Sequence, residues 1–438
     1  MIKKIFIVFI TSIFSLVSYA AIAKTTVTWW MESRPETDPG FQQKLADVFN
    51  SSQNEIELVM SFKEGLNDIL RTAMLSGEGP DIVESPGPSY VKEYQEAGLI
   101  ASMQGYADQY GWEDKFLGWA YQAGVFNGEF YAAPKTFETM IMLYNKTLFE
   151  EKGWSVPTTL SEYEDIASKI KAAGMNVFAY GSTGWQPTHE HLAGMYLNSY
   201  AGPDNFYKTL IGEKKWTDKE FVEALELLKK HMLDGYWSGS LENYYATDWD
   251  GFSAQFVNRE AAMLPIGTWG FEIMQGFSDK SDDWAVSPLP IISKNGGNPN
   301  YQLSIGGTMS INASSENPDA AAKVIDWILS DKSRVLEFSA KRGYAEWLIP
   351  LAYEASDFEA GADPKVRDYL IDFAKVTGAG DYGYTTWTFY PAGAGTHIWK
   401  DMESVWANDI TVTEFLTEQQ KLWEKARKND ELLPIAAR

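Results

Sequence analysis

The hydrophobic and polar positions along the chain follow two different periods. Residues 26–30 and 56–60 place apolar side chains at every second position, which indicates short β-strands. Residues 41–49 and 66–74 place them three or four positions apart, which predicts amphipathic helices. Strands that alternate with helices are typical of α/β proteins with largely parallel sheets. The pattern therefore predicts an α/β fold.

Several of the later predicted helices carry recognisable start signals. Thr159, Ser161 and Thr217 each precede a glutamate by three positions, which is the spacing of a capping box. Asn317 and Pro318 supply a cap residue and a favourable first helical residue. These positions mark where we expect helices to begin.

Two neighbouring tryptophans end the first predicted strand. Trp29 shares a strand face with Val27, so we expect it in a core. Trp30 shares the opposite face with Thr28, and polar residues follow it. Trp30 is therefore either a platform for a bound ligand or a lid over the core.

The N-terminus has the features of a secretory leader. Residues 1–4 include two lysines, residues 5–17 are predominantly apolar, and residues 21–23 give a small-x-small cleavage pattern. We expect cleavage after Ala23 and export to the periplasm. The chain has no cysteine, which excludes disulfides and a lipidated cysteine after the leader.

The charge balance narrows the possible partners. The chain has 37 Lys and Arg against 60 Asp and Glu, a formal net charge of −23. So acidic a protein is a poor partner for nucleic acid or for an anionic membrane surface. We therefore expect the protein to bind no nucleic acid and not to insert into a membrane. Independently of the charge, we expect a monomer.

Motifs of catalysis are weak or absent in the sequence. Residues 378–383 match G-x-G-x-x-G but follow a helical pattern, whereas a nucleotide-binding motif follows a strand. His189 and His191 lack the H-E-x-x-H spacing of zinc sites. We therefore expect no cofactor, no metal and no enzymatic activity. A secreted glycosidase stays open as an alternative, because 60 acidic residues could include a catalytic carboxylate pair.

Four segments resemble a known family. Residues 75–84, 126–154, 256–274 and 303–331 are similar, in the same order, to segments of bacterial extracellular sugar-binding proteins. These proteins are the receptors of ABC importers, and the resemblance falls in the group that includes maltose-binding protein.

The resemblance implies a two-lobed, periplasmic-binding-protein-like α/β fold of the class II type, in which hinge strands cross between the lobes. The implied boundaries are a signal peptide at 1–23, a first lobe at 24–137 and 289–330, and a second lobe at 138–288 and 331–438. The ligand would lie in the cleft between the lobes.

The candidate binding residues follow predicted strands or occupy positions that the resemblance selects. Aromatic faces suit the C–H face of a sugar ring, and carboxylates, guanidinium groups and close-approaching glycine backbones suit its hydroxyls. The resemblance gives the most weight to Trp269. The candidates are Trp30, Glu32, Arg34, Glu84, Ser85, Glu138, Trp185, Trp269, Gly306, Gly307, Trp387 and Tyr390.

The leading functional hypothesis is a periplasmic receptor that binds a neutral oligosaccharide and delivers it to an inner-membrane permease. A receptor of the same fold for a polyamine or another organic cation is the alternative, because aromatic rings and carboxylates also bind ammonium groups.

Overall fold

A computed structural model describes residues 24–32, 39–184, 188–289, 292, 301–340, 348–358 and 363–435. The predicted signal peptide lies outside the described residues.

The strands form two main sheets and one short hairpin. The strands are β1 (Thr25–Glu32), β2 (Ile56–Lys63), β3 (Ile82–Ser85), β4 (Val125–Phe126), β5 (Glu129–Phe130), β6 (Ala133–Glu138), β7 (Met140–Asn145), β8 (Asn176–Phe178), β9 (Ala261–Gly267), β10 (Trp284–Ser287), β11 (Gln302–Ile311) and β12 (Gly383–Tyr384). Within the described chain, the larger sheet has the order β12-β11-β3-β1-β2, and β6 also pairs with β11. The smaller sheet has the order β10-β7-β9-β8, and β4 pairs with β5.

Helices cover both sheets. They are α1 (Pro39–Ser52), α2 (Leu66–Leu75), α3 (Pro88–Glu96), α4 (Gln104–Tyr110), α5 (Trp112–Lys115), α6 (Gly118–Gln122), α7 (Lys146–Lys152), α8 (Leu160–Ala172), α9 (Thr188–Ala201), α10 (Pro203–Leu210), α11 (Lys219–Leu233), α12 (Leu241–Ala246), α13 (Trp249–Val257), α14 (Pro318–Leu329), α15 (Lys332–Ala340), α16 (Pro364–Gly378), α17 (Thr386–Phe389), α18 (Ala392–Lys400), α19 (Met402–Trp406) and α20 (Val412–Lys428). Residues Thr268–Phe277 and Ala355–Asp357 form 3₁₀ helices.

The helix starts agree in part with the capping signals. The Thr159 hydroxyl accepts a hydrogen bond from the Glu162 amide at 3.3 Å, as an N-cap does. Ser161 lies inside α8, and α11 begins after Asp218, so the predicted caps at Ser161 and Thr217 are wrong. Thr159 is the cap of α8, and Asp218 is the cap of α11.

The two sheets are joined directly at Thr139, the single residue between β6 and β7. Its backbone oxygen accepts a hydrogen bond from the Thr268 amide at 3.0 Å, next to the end of β9. Its hydroxyl accepts one from the Gln302 amide at 3.0 Å, where β11 begins. Three chain segments therefore meet at one residue between the sheets, and the molecule is a two-lobed α/β protein.

The strand faces predicted from residues 26–30 are present in β1. Val27 and Trp29 are fully buried in the main core. Trp30 is partly exposed and packs against a smaller apolar cluster that includes Leu70 and Val83. The two tryptophans therefore occupy opposite faces of the sheet, as alternation along a strand requires.

The C-terminal part of the chain does not stay with one sheet. β12 pairs with β11 of the larger sheet through Gln302 and Leu303, whereas the predicted boundary placed residues 331–438 wholly in the second lobe. Helix α16 ends at Gly378 and β12 begins at Gly383. The G-x-G-x-x-G match thus connects a helix to a strand, which is the reverse of a nucleotide-binding turn.

Candidate functional site

Three aromatic rings from distant segments form one cluster. Trp269 lies in the 3₁₀ helix after β9, Trp387 lies in α17, and His191 lies in α9. The His191 ring centroid is 5.2 Å from that of Trp269 and 4.9 Å from that of Trp387. The two indoles meet edge to face with centroids 5.9 Å apart, and both remain partly exposed. We call His191, Trp269 and Trp387 the ring cluster.

A glycine lets Trp269 take this position. A methyl group added at Gly267 would lie 2.1 Å from a carbon of the Trp269 ring, far inside van der Waals contact. The indole therefore folds back over the last residue of β9. A side chain at position 267 would displace the ring.

Hydrogen bonds connect the ring cluster to the larger sheet. Trp387 Nε1 donates to Ser304 Oγ at 2.7 Å, and Thr388 Oγ1 donates to the same oxygen at 2.9 Å. Ser304 Oγ in turn donates to Glu138 Oε2 at 3.4 Å. Glu138 is partly exposed. An apolar aromatic surface thus lies beside a serine hydroxyl and a carboxylate, which is a suitable lining for a ligand with both C–H faces and hydroxyls.

A β-bulge at Gly306 and Gly307 shapes the surface next to Glu138. The pairing of β11 with β6 shifts register on both sides of Gly307. A methyl group at Gly306 would lie 2.2 Å from Glu138 Oε1, and one at Gly307 would lie 3.3 Å from Lys135 Cε. Bulges re-aim the side chains around them. Here Gly306 leaves room for the Glu138 carboxylate, and Gly307 leaves room for the Lys135 side chain.

A buried ion pair continues this surface. Lys135 Nζ donates to Glu84 Oε1 at 2.5 Å, and their side chains are 7% and 14% exposed. Ser85, the next residue of β3, is buried and its hydroxyl lies 2.6 Å from Thr308 Oγ1. Glu84 is thus joined through Lys135 to the glycine bulge of β11, whereas the Ser85 hydroxyl is hydrogen-bonded between β3 and β11.

Burial keeps two neighbouring side chains neutral: His191, a member of the ring cluster, and Glu190, the residue before it. Burial, together with a smaller effect of the nearby His189, lowers the pKa of His191 to about 3. One His191 nitrogen, Nδ1, is 2.9 Å from the Tyr180 hydroxyl. Burial raises the pKa of Glu190 to about 8, although the Thr386 hydroxyl donates to Glu190 Oε2 at 3.1 Å. Glu190 is therefore a neutral acid at pH 7, and it joins the segments that carry His191 and Trp387.

The structure places three other predicted residues outside the ring cluster: Glu32, Trp30 and Tyr390. Glu32 accepts hydrogen bonds from the backbone amides of Gly65 and Leu66 at 3.0 and 2.8 Å, so its carboxylate holds the start of α2. The Lys63 ammonium lies over the Trp30 ring, 5.0 Å from the ring centroid, in a cation–π contact.

Tyr390 is buried in the aromatic core, with its ring 5.2 Å from those of Trp216 and Trp423. The structure does not bring it to the exposed surface beside Trp387. Arg34 and Trp185 lie outside the described residues.

Sequence reasoning missed several residues of this site. The sequence presents His191 only as a possible metal ligand, and the aromatic contacts of its ring have no local signal. Ser304, Thr388 and Lys135 are common residue types whose importance comes from partners far away in the chain.

The described residues contain no group of three or more His, Cys, Asp or Glu side chains that could hold a metal ion. Of the helices in the described chain, none is both long and apolar enough to cross a membrane.

Comparison with known proteins identifies the family. Residues 33–335 match the bacterial extracellular solute-binding protein family, so the chain belongs to that family. The resemblance seen in the sequence is confirmed, and the chain is a solute-binding protein rather than an enzyme.

Two relatives have names that state a ligand. The maltotriose-binding protein of Pyrococcus abyssi is 26% identical over 352 residues, which cover 78% of this chain and 70% of the relative. The multiple sugar-binding protein of Streptococcus mutans is 26% identical over 251 residues, which cover 56% of this chain and 58% of the relative.

Solved structures support the fold. A chitin oligosaccharide binding protein superposes with a TM-score of 0.73 and 18% identity, over 92% of this chain and 99% of that one. This likeness confirms the two-lobed, periplasmic-binding-protein-like fold.

Proposed function

We propose that this protein is a periplasmic receptor of an ABC importer that binds a neutral oligosaccharide between its lobes and delivers it to the membrane permease. Family membership and the sugar ligands in the names of two relatives support this proposal. The proposed mature chain begins at Lys24, and the proposed lobes are those that the resemblance implies, with β12 added to the first.

The observation that carries the proposal is the contact of two partly exposed indoles with a hydrogen-bonded polar surface. Trp269 and Trp387 offer apolar ring area, and Trp387 is bonded through Ser304 to the Glu138 carboxylate. A pyranose has apolar C–H faces and a rim of hydroxyls, so it matches both parts of this surface.

The charges on this surface favour a neutral ligand over a polycation. Glu84 and Glu138 are the carboxylates, and Lys135 already neutralises Glu84. The surface has two carboxylates and one ammonium, so Glu138 could attract one ammonium group of a polyamine, but Lys135 would repel the further ammonium groups. A neutral sugar meets no such repulsion.

The test is a calorimetric titration of the exported protein with maltotriose, xylotriose, chitotriose, raffinose and spermidine. The proposal predicts saturable binding of at least one neutral sugar and no saturable binding of spermidine. Binding of spermidine alone would establish the cation-receptor alternative. Recovery of the bound sugar unchanged after long incubation, measured by mass spectrometry, is expected of a receptor.

Delivery to a permease needs a separate measurement. Cells that lack the protein are expected to lose uptake of the radiolabelled sugar at low concentration and to regain it when the gene is restored. Unchanged uptake would contradict the transport role while leaving sugar binding intact.

A further inference from the structure

Lys135 and Glu84 form an ion pair in the larger sheet, near the carboxyl end of the interior strand β3. Glu84 is the penultimate residue of β3, and Lys135 lies in β6 three residues before Glu138. The Lys135 stem crosses Gly307, and the Glu138 carboxylate covers Gly306. Lys135 and Glu138 thus lie over adjacent glycines of the β11 bulge, and Glu138 is connected through Ser304 to Trp387 of the ring cluster.

The ion pair is poorly explained by stability. Removing two charges from water has a large free-energy cost, and a well-packed apolar pair of similar volume is often as stable as a buried ion pair or more so. One carboxylate oxygen, Glu84 Oε2, is buried and has no hydrogen-bond partner in the described chain. A buried acceptor without a donor is unfavourable. A bound ligand that donates a hydrogen bond to Glu84 Oε2 would remove this cost.

The chemistry of the ion pair fits vicinal hydroxyl groups. An ammonium donates hydrogen bonds in several directions, and a carboxylate oxygen only accepts them. Each sugar hydroxyl both donates and accepts, so two neighbouring hydroxyls can accept from Lys135 Nζ and donate to Glu84 Oε2. A sugar carboxylate would instead face Glu84 and Glu138, two negative groups against one positive group.

We propose that Lys135 and Glu84 form a hydroxyl-binding subsite that selects sugars with adjacent free hydroxyl groups and rejects acidic sugars. This inference rests on the proposed function, because it names the ligand groups that the same site would recognise. Lys135 acts as donor and Glu84 as acceptor, and Gly307 keeps the lysine stem against the strand.

The test uses two variants and one matched control. Lys135→Met removes the ammonium and keeps an unbranched apolar stem, and Glu84→Gln removes the charge of the acceptor. Lys115→Met is the control, because Lys115 likewise forms an ion pair, with Asp326 at 2.6 Å, and its side chain is 27% exposed. Each protein is titrated calorimetrically with the sugar from the panel above that binds the wild-type protein most tightly. Monodeoxy derivatives of that sugar and its uronic acid form are titrated in parallel.

We expect Lys135→Met and Glu84→Gln to lose about tenfold to a hundredfold in affinity, the usual effect of a lost hydrogen bond to a charged group. We expect Lys115→Met to bind as the wild-type protein does. One deoxy sugar should bind the wild-type protein at least about tenfold more weakly but lower the affinity of Lys135→Met no more than about twofold, because the contact is already lost.

The outcomes separate this inference from the proposed function. If the wild-type protein binds a sugar and both variants bind it equally well, the subsite is absent although the receptor function stands. If each deoxy sugar loses the same factor in affinity for the wild-type protein and for Lys135→Met, the subsite assignment is also wrong. If the wild-type protein binds no sugar of the panel, both proposals fail. Melting curves identify a variant that does not fold. The affinity of the other variant then decides whether the subsite exists.

Discussion

The indole N–H of Trp387 donates a hydrogen bond to Ser304 Oγ at 2.7 Å, although the two residues are 83 positions apart. Ser304 lies in β11 of the larger sheet, and Trp387 lies in the short helix α17, which three further helices of the described chain follow. This bond fixes an indole edge beside the Glu138 carboxylate, which accepts from Ser304 at 3.4 Å. The candidate binding surface is therefore built by joining a strand of one lobe to a helix near the end of the chain.

Trp269→Ala is expected to weaken sugar binding by about tenfold to a hundredfold. Stacking a sugar on the indole removes several tens of Å² of apolar area, at roughly 25 cal/mol per Å². Titration calorimetry measures the affinity. Trp216→Ala is the control for a core tryptophan, because Trp216 is fully buried, and it should lower stability by about 3–5 kcal/mol. A Trp269→Ala protein that melts as early as Trp216→Ala but binds sugar normally would show that Trp269 is a core residue.

Gly306→Ala is expected to weaken binding more than it weakens the fold. Its methyl group would lie 2.2 Å from Glu138 Oε1, so the Glu138 carboxylate must move. Affinity should fall by about tenfold, since a hydrogen bond to a charged group contributes about 1.5–3 kcal/mol. Gly378→Ala is the matched control, because a methyl group there meets no atom within 4 Å at the end of α16. Equal affinities of the two variants would contradict a role for Glu138 in binding.

Glu190 gives the protein a pH-dependent stability with a defined direction. Burial raises its pKa to about 8 from an ordinary value of 4.5. Between these pH values the folded protein keeps the proton and the unfolded chain loses it. The free energy of unfolding therefore falls as the pH rises, by up to about 1.4 kcal/mol per pH unit.

The clear window for this measurement is pH 6.5–8. Burial lowers the pKa of His189 from 6.5 to about 4, which produces the opposite slope below pH 6.5. Glu190→Gln stays neutral and keeps an acceptor for the Thr386 hydroxyl, so its stability should depend less on pH. Urea unfolding of both proteins at pH 6.5, 7.2 and 8 tests this. Parallel stability curves across the window would contradict a buried, protonated Glu190.

Glu32→Gln separates a structural role from a binding role. The Glu32 carboxylate accepts from the amides of Gly65 and Leu66 at the start of α2, where a negative charge is favourable. Loss of one acceptor and of the charge should lower stability by about 0.5–2 kcal/mol. Sugar affinity should be unchanged. A loss of affinity with unchanged melting would instead place Glu32 in contact with the ligand.

The sequence determined the features that depend on neighbouring residues. Alternating and helical periods identified α/β architecture, and strand alternation separated the buried Trp29 from the partly exposed Trp30. Four ordered segments were enough to place the chain in the solute-binding family, which the match over residues 33–335 confirms. Such properties are encoded within a few turns or strands, so they can be predicted without knowing which segments meet.

The tertiary structure decided which candidate residues meet. His191, Trp269, Trp387 and Ser304 come from four separate segments, and only the packing of α9, the 3₁₀ helix after β9, α17 and β11 brings them together. The same packing buried Tyr390. These outcomes depend on strand register and on helix contacts between residues tens to hundreds of positions apart. A local pattern carries no information about such contacts, because the free energy of each contact belongs to a pair of segments and not to either segment alone.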